Sequence, residues 1–280
     1  MSFETQQKEL RDLCAALLRD GAVESVIGFG ERSDSCCVCP PIAAKREKDA
    51  GKLAWNSRCV PNLAPYLPLR GKTAIVAKPC DARAVVNLIV ERQIPRESVR
   101  IIGMDCAGMT GADGNPLRAC AECGERRAPV ADDIIANEIS SRRELEDTRG
   151  EYSAKRFKDE MKKCILCFSC RQACYGCYCQ TCFADRVLPN WQPAEPGFGA
   201  KMTYHLGRAM HLAGRCVECG ACENACASGV DVRYIIRGVT EFIEKEYGFR
   251  AGIDIEASPV MQSCSMDDRN VGFWGGDERE

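Results

Sequence analysis

Leu10, Leu13, Cys14, Leu17 and Leu18 recur at helical spacing, and Gly21 follows as a stop signal. Val23 to Phe29 then reads as a short strand. Thr73 to Ala77 is an unbroken apolar run that predicts a buried strand, and Asp81 to Arg92 predicts a helix with Ala84, Val85, Leu88 and Ile89 inward. Val99 to Gly103 is the next strand. Strand, helix and strand within about thirty residues imply parallel strands joined by a right-handed crossover. Further on, Tyr204 to Leu212 reads as a helix, and Val232, Ile235, Ile236, Val239, Phe242 and Ile243 form one apolar helix face, expected to pack on its own domain. No run of eighteen apolar residues occurs, and the N-terminus, Met1 to Lys8, is too polar for an export signal.

Composition narrows this picture. A chain of 280 residues suits two domains. A net charge of −2, with no basic stripe, argues against nucleic acid as a partner. The two histidines, His205 and His211, leave little imidazole for metal ligation or base chemistry, and both are expected to be surface or packing residues. No Ser–His–Asp set or Cys–His pair is visible, so hydrolysis and group transfer find no support. Cysteine is the exceptional residue, with 21 copies.

Eight of these form two runs of one spacing, Cys164-x2-Cys167-x2-Cys170-x3-Cys174 and Cys216-x2-Cys219-x2-Cys222-x3-Cys226. This is the spacing by which bacterial dicluster ferredoxins hold [4Fe–4S] cubanes. Three closely spaced thiolates wrap one cluster, and the fourth reaches across to the other. The expected sets are Cys164, Cys167, Cys170 and Cys226 on one cubane, and Cys216, Cys219, Cys222 and Cys174 on the other. Zinc prefers separated Cys-x2-Cys pairs, and disulfide scaffolds are short and secreted, so both fit less well. Thiols in this number point to a reducing compartment, the cytoplasm, in a low-oxygen cell. Lys162, Lys163, Arg171 and Arg215 flank the runs, where they could favour reduced clusters or be ordinary solvated charges.

Thirteen cysteines remain. Cys80 and Cys106 lie just past the ends of the two predicted parallel strands, the edge where open α/β sheets gather ligands. With the Cys120-x2-Cys123 pair they are the candidate ligands of a further Fe–S cluster. A fainter set is Cys36, Cys37, Cys39 and Cys59. Cys177, Cys179 and Cys182 follow the first run without an assigned role. Cys14 is expected in the core, and nothing is assigned to Cys264.

Lys78-Pro79-Cys80-Asp81-Ala82-Arg83-Ala84 and Ile101-Ile102-Gly103-Met104-Asp105-Cys106-Ala107-Gly108 resemble the amino-terminal domain of beta subunits of deazaflavin-linked hydrogenases and formate dehydrogenases. The block from Cys164 to Phe183, with His205 to Cys216, resembles a bacterial branch of that family fused to a dicluster ferredoxin. The resemblance covers roughly residues 70 to 240. It implies a noncatalytic electron-transfer subunit of a multi-subunit redox complex of hydrogenase, formate dehydrogenase or heterodisulfide reductase type. Fuller members bind FAD and exchange hydride with a deazaflavin. Here Gly28-Phe29-Gly30-Glu31-Arg32-Ser33 fails as a dinucleotide fingerprint, and no second large domain completes a flavin pocket. Tyr175 and Ala227 also stand where ferredoxins have proline after the fourth cysteine. The expected organisation is a Rossmann-like α/β domain over 1–150, an α+β ferredoxin-like domain with a long insert over 151–257, and a tail over 258–280. An alternative reading is a flavin-dependent subunit that itself exchanges hydride with a deazaflavin or nicotinamide carrier.

Overall fold

The computed structural model describes residues 2–32, 38–67, 71–137, 152–192 and 195–262. Helix α1 (Phe3–Arg19) begins where the Ser2 hydroxyl accepts the Thr5 amide, and buries Leu10, Cys14 and Leu17. It ends before Gly21, whose φ of +66° suits a residue without a side chain. Strands β1 (Ser25–Gly30), β2 (Pro41–Ala44), β3 (Leu53–Ala54), β4 (Thr73–Ala77), β5 (Val99–Met104) and β6 (Asp133–Ile135) form one sheet in the order β2-β1-β4-β5-β6, with β3 also paired to β1. The pairings β1–β4, β4–β5 and β5–β6 are parallel, and those of β1 with β2 and β3 are antiparallel. The fold of this part is therefore α/β with a mixed, mostly parallel sheet.

β4 is buried at every residue, as expected of a central parallel strand covered on both faces. Helix α2 (Pro79–Val90) follows at once, with Pro79 at its first position and the Asp81 carboxylate accepting the Lys78 amide at 3.0 Å. β4 and β5 are neighbours in register from Thr73↔Val99 to Ala77↔Gly103, so Cys80 and Cys106 leave adjacent strand ends. The short helix α3 (Arg118–Ala121) carries Cys120 beneath this edge.

The second half is helical: α4 (Ala154–Lys163), α5 (Ser169–Gln172), α6 (Phe198–His211), α7 (Ala221–Asn224) and α8 (Val232–Tyr247). Asp231 caps α8 through the Tyr234 amide, and Gly248 ends it at φ +63°. Met161, Tyr204, Leu212, Val232 and Ile236 form a core that also takes in Cys164, Cys170 and Cys222. Tyr175, Val217 and Ala251 instead join the core of the α/β part.

Polar contacts reinforce that junction. Arg83 is buried and donates to the Ala251 carbonyl at 3.0 and 2.8 Å. Arg118 pairs with Asp231 at 2.7 Å, Arg250 with Glu125 at 2.7 Å, and Arg233 and Arg237 share Glu122. Among the described residues, no helix is long and apolar enough to cross a membrane.

Candidate metal centres

The two cysteine runs fold into the same loop. Leu166 and Phe168 in the first have φ of 55° and 61°, and Glu218 and Gly220, at the same positions in the second, have φ of 57° and 74°. Non-glycine residues hold this left-handed conformation only where their surroundings impose it. The turns aim amides inward: Leu166 N–H donates to the Cys164 sulfur at 3.3 Å, and Glu218 N–H to that of Cys216 at 3.4 Å. α5 and α7 then carry the third cysteine of each run into the interior.

Cys164, Cys167, Cys170 and Cys226 line one cavity, together with Tyr204 and His205. The Val230 amide donates to the Cys226 sulfur at 3.3 Å. Cys174, from the first run, stands instead among Cys216, Cys219 and Cys222, each of which its charge reaches. The fourth cysteine of each run thus lies near the first three of the other run. Burial pushes the Cys216 thiol up to about 12 and that of Cys219 up to about 11. Thiols so desolvated give up their protons at neutral pH only to a cation that replaces them. Among the described residues no three His, Cys, Asp or Glu side chains close on one point as a single metal ion requires. A cubane, by contrast, takes its four thiolates at separate corners. Four thiols with inward amides are the donor set that such a cluster needs.

α6 supplies the groups around the sulfurs. Tyr204 Oη lies 3.4 Å from the Cys170 sulfur, His205 Nε2 lies 3.3 Å from that of Cys164, and Arg208 Nη2 donates to the Cys170 carbonyl at 3.1 Å. All three are buried. Burial, then the charge of Arg208, hold the His205 pKa down at about 4, so the ring is neutral. His205 is thus a buried packing residue, as expected, with the Cys164 sulfur as an added neighbour, and His211 is exposed and sits edge-on to Phe183. The flanking cations are taken up by carboxylates: Lys162 by Asp159 at 2.8 Å, Lys163 by Glu160 at 2.7 Å, Arg171 by Asp185 at 2.8 Å, and Arg215 by Glu91 at 2.5 Å. The one available sequence signal for the α6 trio was its spacing, positions 204, 205 and 208 on a helix just ahead of the second run.

The remaining candidates meet at the carboxyl edge of the sheet. The Cys106 sulfur is within electrostatic reach of Lys78, Cys120 and Cys123, and that of Cys80 is within reach of Lys78, Cys219 and Cys106. Cys80, Cys106, Cys120 and Cys123 are thereby grouped, with Cys219 of the second run next to Cys80. Gly108, at φ +107°, turns the chain so that its amide donates to the Cys106 sulfur at 3.4 Å. Burial raises all of the Cys80, Cys106 and Cys123 thiol pKa values, that of Cys106 to about 12. Lys78 is buried too, yet it stays charged because Asp81 Oδ2 is 2.8 Å away.

The other cysteines are not members of these sets. Cys39 and Cys59 are within hydrogen-bonding reach of each other, and this bond, acting against burial, lowers the Cys39 pKa to about 7. Their expected companions Cys36 and Cys37 lie outside the described residues, as does Cys264. Cys177 is within hydrogen-bonding reach of Cys174, Cys182 faces Arg171, and Cys179 is exposed. Cys14 is fully buried in the core.

No protein-family model matches the chain. It is 36% identical over 356 aligned positions to the F420-dependent formate dehydrogenase 1 subunit beta of Methanococcus maripaludis, an alignment covering 88% of this chain and 90% of that protein. It is 27% identical over 112 residues to the F420-dependent formate dehydrogenase subunit beta of Methanocaldococcus jannaschii, covering 39% of this chain and 28% of that protein. The 356 positions exceed the 280 residues of this chain, so the longer alignment includes segments of the relative with no counterpart here.

Proposed function

The chain belongs to the family of F420-dependent formate dehydrogenase beta subunits, and on that premise we propose that it is the iron–sulfur relay subunit of a multi-subunit oxidoreductase. In this reading it is a bacterial-type member in which a Rossmann-like α/β domain over 1–150 is joined to a dicluster ferredoxin domain over 151–257. Its partners are the formate- or hydrogen-oxidising and electron-accepting subunits of the complex, in the cytoplasm, and the chain is not itself catalytic.

The observation that supports this is the placing of Cys226 in one cavity with Cys164, Cys167 and Cys170, and of Cys174 within electrostatic reach of Cys216, Cys219 and Cys222. Bound to these sets, [4Fe–4S] cubanes would each supply reversible one-electron acceptance. The chain's own residues do the rest. Eight thiolates hold the sites, and the amides of Leu166 and Glu218 offer hydrogen bonds to sulfur. Tyr204 and His205 do the same from α6. Cys80, Cys106, Cys120 and Cys123 fit a third Fe–S site, which the proximity of Cys219 to Cys80 makes continuous with the second. Cys167 is exposed, so the first site offers an entry from a docked partner.

Iron, acid-labile sulfide and flavin per chain, measured on anaerobically purified protein, test this reading. About twelve iron is expected, and about eight would remove the third site while leaving the relay. Absence of iron overturns the proposal. The names of the two relatives favour one second reading, in which this chain itself exchanges hydride with a deazaflavin or nicotinamide through FAD. Stoichiometric flavin would establish it.

A further inference from the structure

Arg208 is 3% exposed, and two of its guanidinium nitrogens, Nε and Nη1, have no hydrogen-bond partner. Its third nitrogen donates to the Cys170 carbonyl at 3.1 Å, and the Cys177 sulfur is within side-chain hydrogen-bonding reach of the guanidinium. A permanently charged side chain buried in this way is strongly disfavoured unless fixed negative charge lies close by. No carboxylate stands among the groups in closest electrostatic reach of it. Those are the sulfurs of Cys222, Cys174, Cys177 and Cys170. Cys170 belongs to the first thiol set, and Cys174 and Cys222 belong to the second. The guanidinium is therefore anchored on the backbone of one candidate centre and within electrostatic reach of sulfurs of the other.

Every other arginine or lysine flanking the runs is already matched to an acid. Arg208 is a buried cation near these sulfurs with no such match among the described residues, whereas Arg83, also buried, donates to the Val217 and Ala251 carbonyls. Its place on α6, one turn after Tyr204, is fixed by packing against Cys170 and the α8 core.

Resting on the two-cubane reading above, we infer that Arg208 is a shared electrostatic bridge that raises the reduction potential of both centres at once. The physical basis is charge. Each cubane takes up one electron on reduction, an Fe(III) becoming Fe(II) with no bond made or broken, and its net negative charge grows by one. A fixed cation between two such groups stabilises both reduced forms and screens each from the electron on the other, most strongly where water is excluded. A cation beside one centre would move that centre alone. Arg208 is in this sense a positioning and tuning residue, and it makes no covalent contact with either site.

The test is an EPR-monitored redox titration of anaerobically purified full-length protein, reduced stepwise with dithionite, with iron counted on the same samples. Arg208→Gln removes the charge and Arg208→Lys keeps it, and Lys162→Gln is a control on an exposed, acid-paired cation. In Arg208→Gln both low-potential signals shift negative, so that at the wild-type midpoints the reduced-to-oxidised ratio of each centre falls roughly tenfold, which is 59 mV for one electron. Arg208→Lys recovers most of that shift, and Lys162→Gln leaves both midpoints in place. Full iron with unchanged midpoints in Arg208→Gln overturns the bridge while leaving the two-cubane reading intact. A shift confined to one centre also overturns it. If Arg208→Gln loses iron, Arg208→Lys decides, because full iron with wild-type midpoints supports the charge and iron loss there too assigns Arg208 to packing alone. Wild-type protein without iron would sink the two-cubane reading itself.

Discussion

His205 Nε2 lies 3.3 Å from the Cys164 sulfur, across 41 residues of sequence. Helix α6 lays its Tyr204–His205–Arg208 face over the first loop, so a ring buried beside a desolvated thiol becomes part of that sulfur's environment. Being neutral, it has one N–H to give.

Replacing His205 by Phe fills the space and removes that donor. Hydrogen bonds to sulfur favour the reduced, more anionic state. The midpoint of the first centre is expected to fall by roughly 40 mV, about 1 kcal/mol for one electron, while that of the second stays in place. Equal shifts at both would point to general loosening of α6.

The exchanged cysteines can be separated by substitution. Cys226→Ser alters the EPR signal of the centre held by Cys164, Cys167 and Cys170, although residue 226 belongs to the second run. Cys174→Ser alters the other centre. An effect of Cys226→Ser on the Cys216–Cys222 centre alone would mean that each run serves itself.

For the sheet-edge site, Cys106→Ser is expected to lower iron from about twelve to about eight per chain and to leave both ferredoxin-type signals unchanged. An unchanged iron content would reduce Cys80, Cys106, Cys120 and Cys123 to a packed thiol group.

Gly220 sits at φ +74°, and a Cβ there would fall 2.5 Å from that of Ala119. Gly220→Ala combines backbone strain with a clash between the second cysteine loop and α3, at a cost of about 2 kcal/mol. The urea midpoint should drop, and iron should become substoichiometric. Wild-type values for both would show that the loop and α3 can move apart freely.

Glu122 receives Arg237 and Arg233 across the junction, and although burial opposes it, these arginines lower its pKa to about 2. A carboxylate whose folded pKa lies below its unfolded value contributes stability in full above about pH 4.3, and loses it as pH falls toward 2. Glu122→Gln should therefore cost about 2 kcal/mol, discounted for partial exposure, equally at pH 8 and pH 6. The gap to wild type should narrow below pH 4.5. Urea unfolding at pH 8, 6 and 4 measures it, and a gap that widens on acidification would contradict the assignment.

Spacing along the chain determined the local features of this protein. Three thiols two residues apart must sit on one loop, and the periods of Leu10 to Leu18, Thr73 to Ala77 and Val232 to Ile243 announce their elements because helices and strands repeat within a few residues. Cys80 and Cys106 at adjacent strand ends followed from the same local logic, since β4, α2 and β5 are contiguous. Tertiary structure decided what no period encodes. β2, β3 and β6 are too short to show alternation, and their pairing depends on partners far along the chain. The contact of Arg83 with the Ala251 carbonyl is silent in sequence, because every residue carries a carbonyl. The flanking lysines and arginines could have served the centres or been ordinary solvated charges, and each pairs with a carboxylate, because charge is neutralised by proximity in space. Arg208 and His205 reach the sulfurs because α6 folds back over loops on either side of it in sequence, and that return depends on the packing of the whole second half.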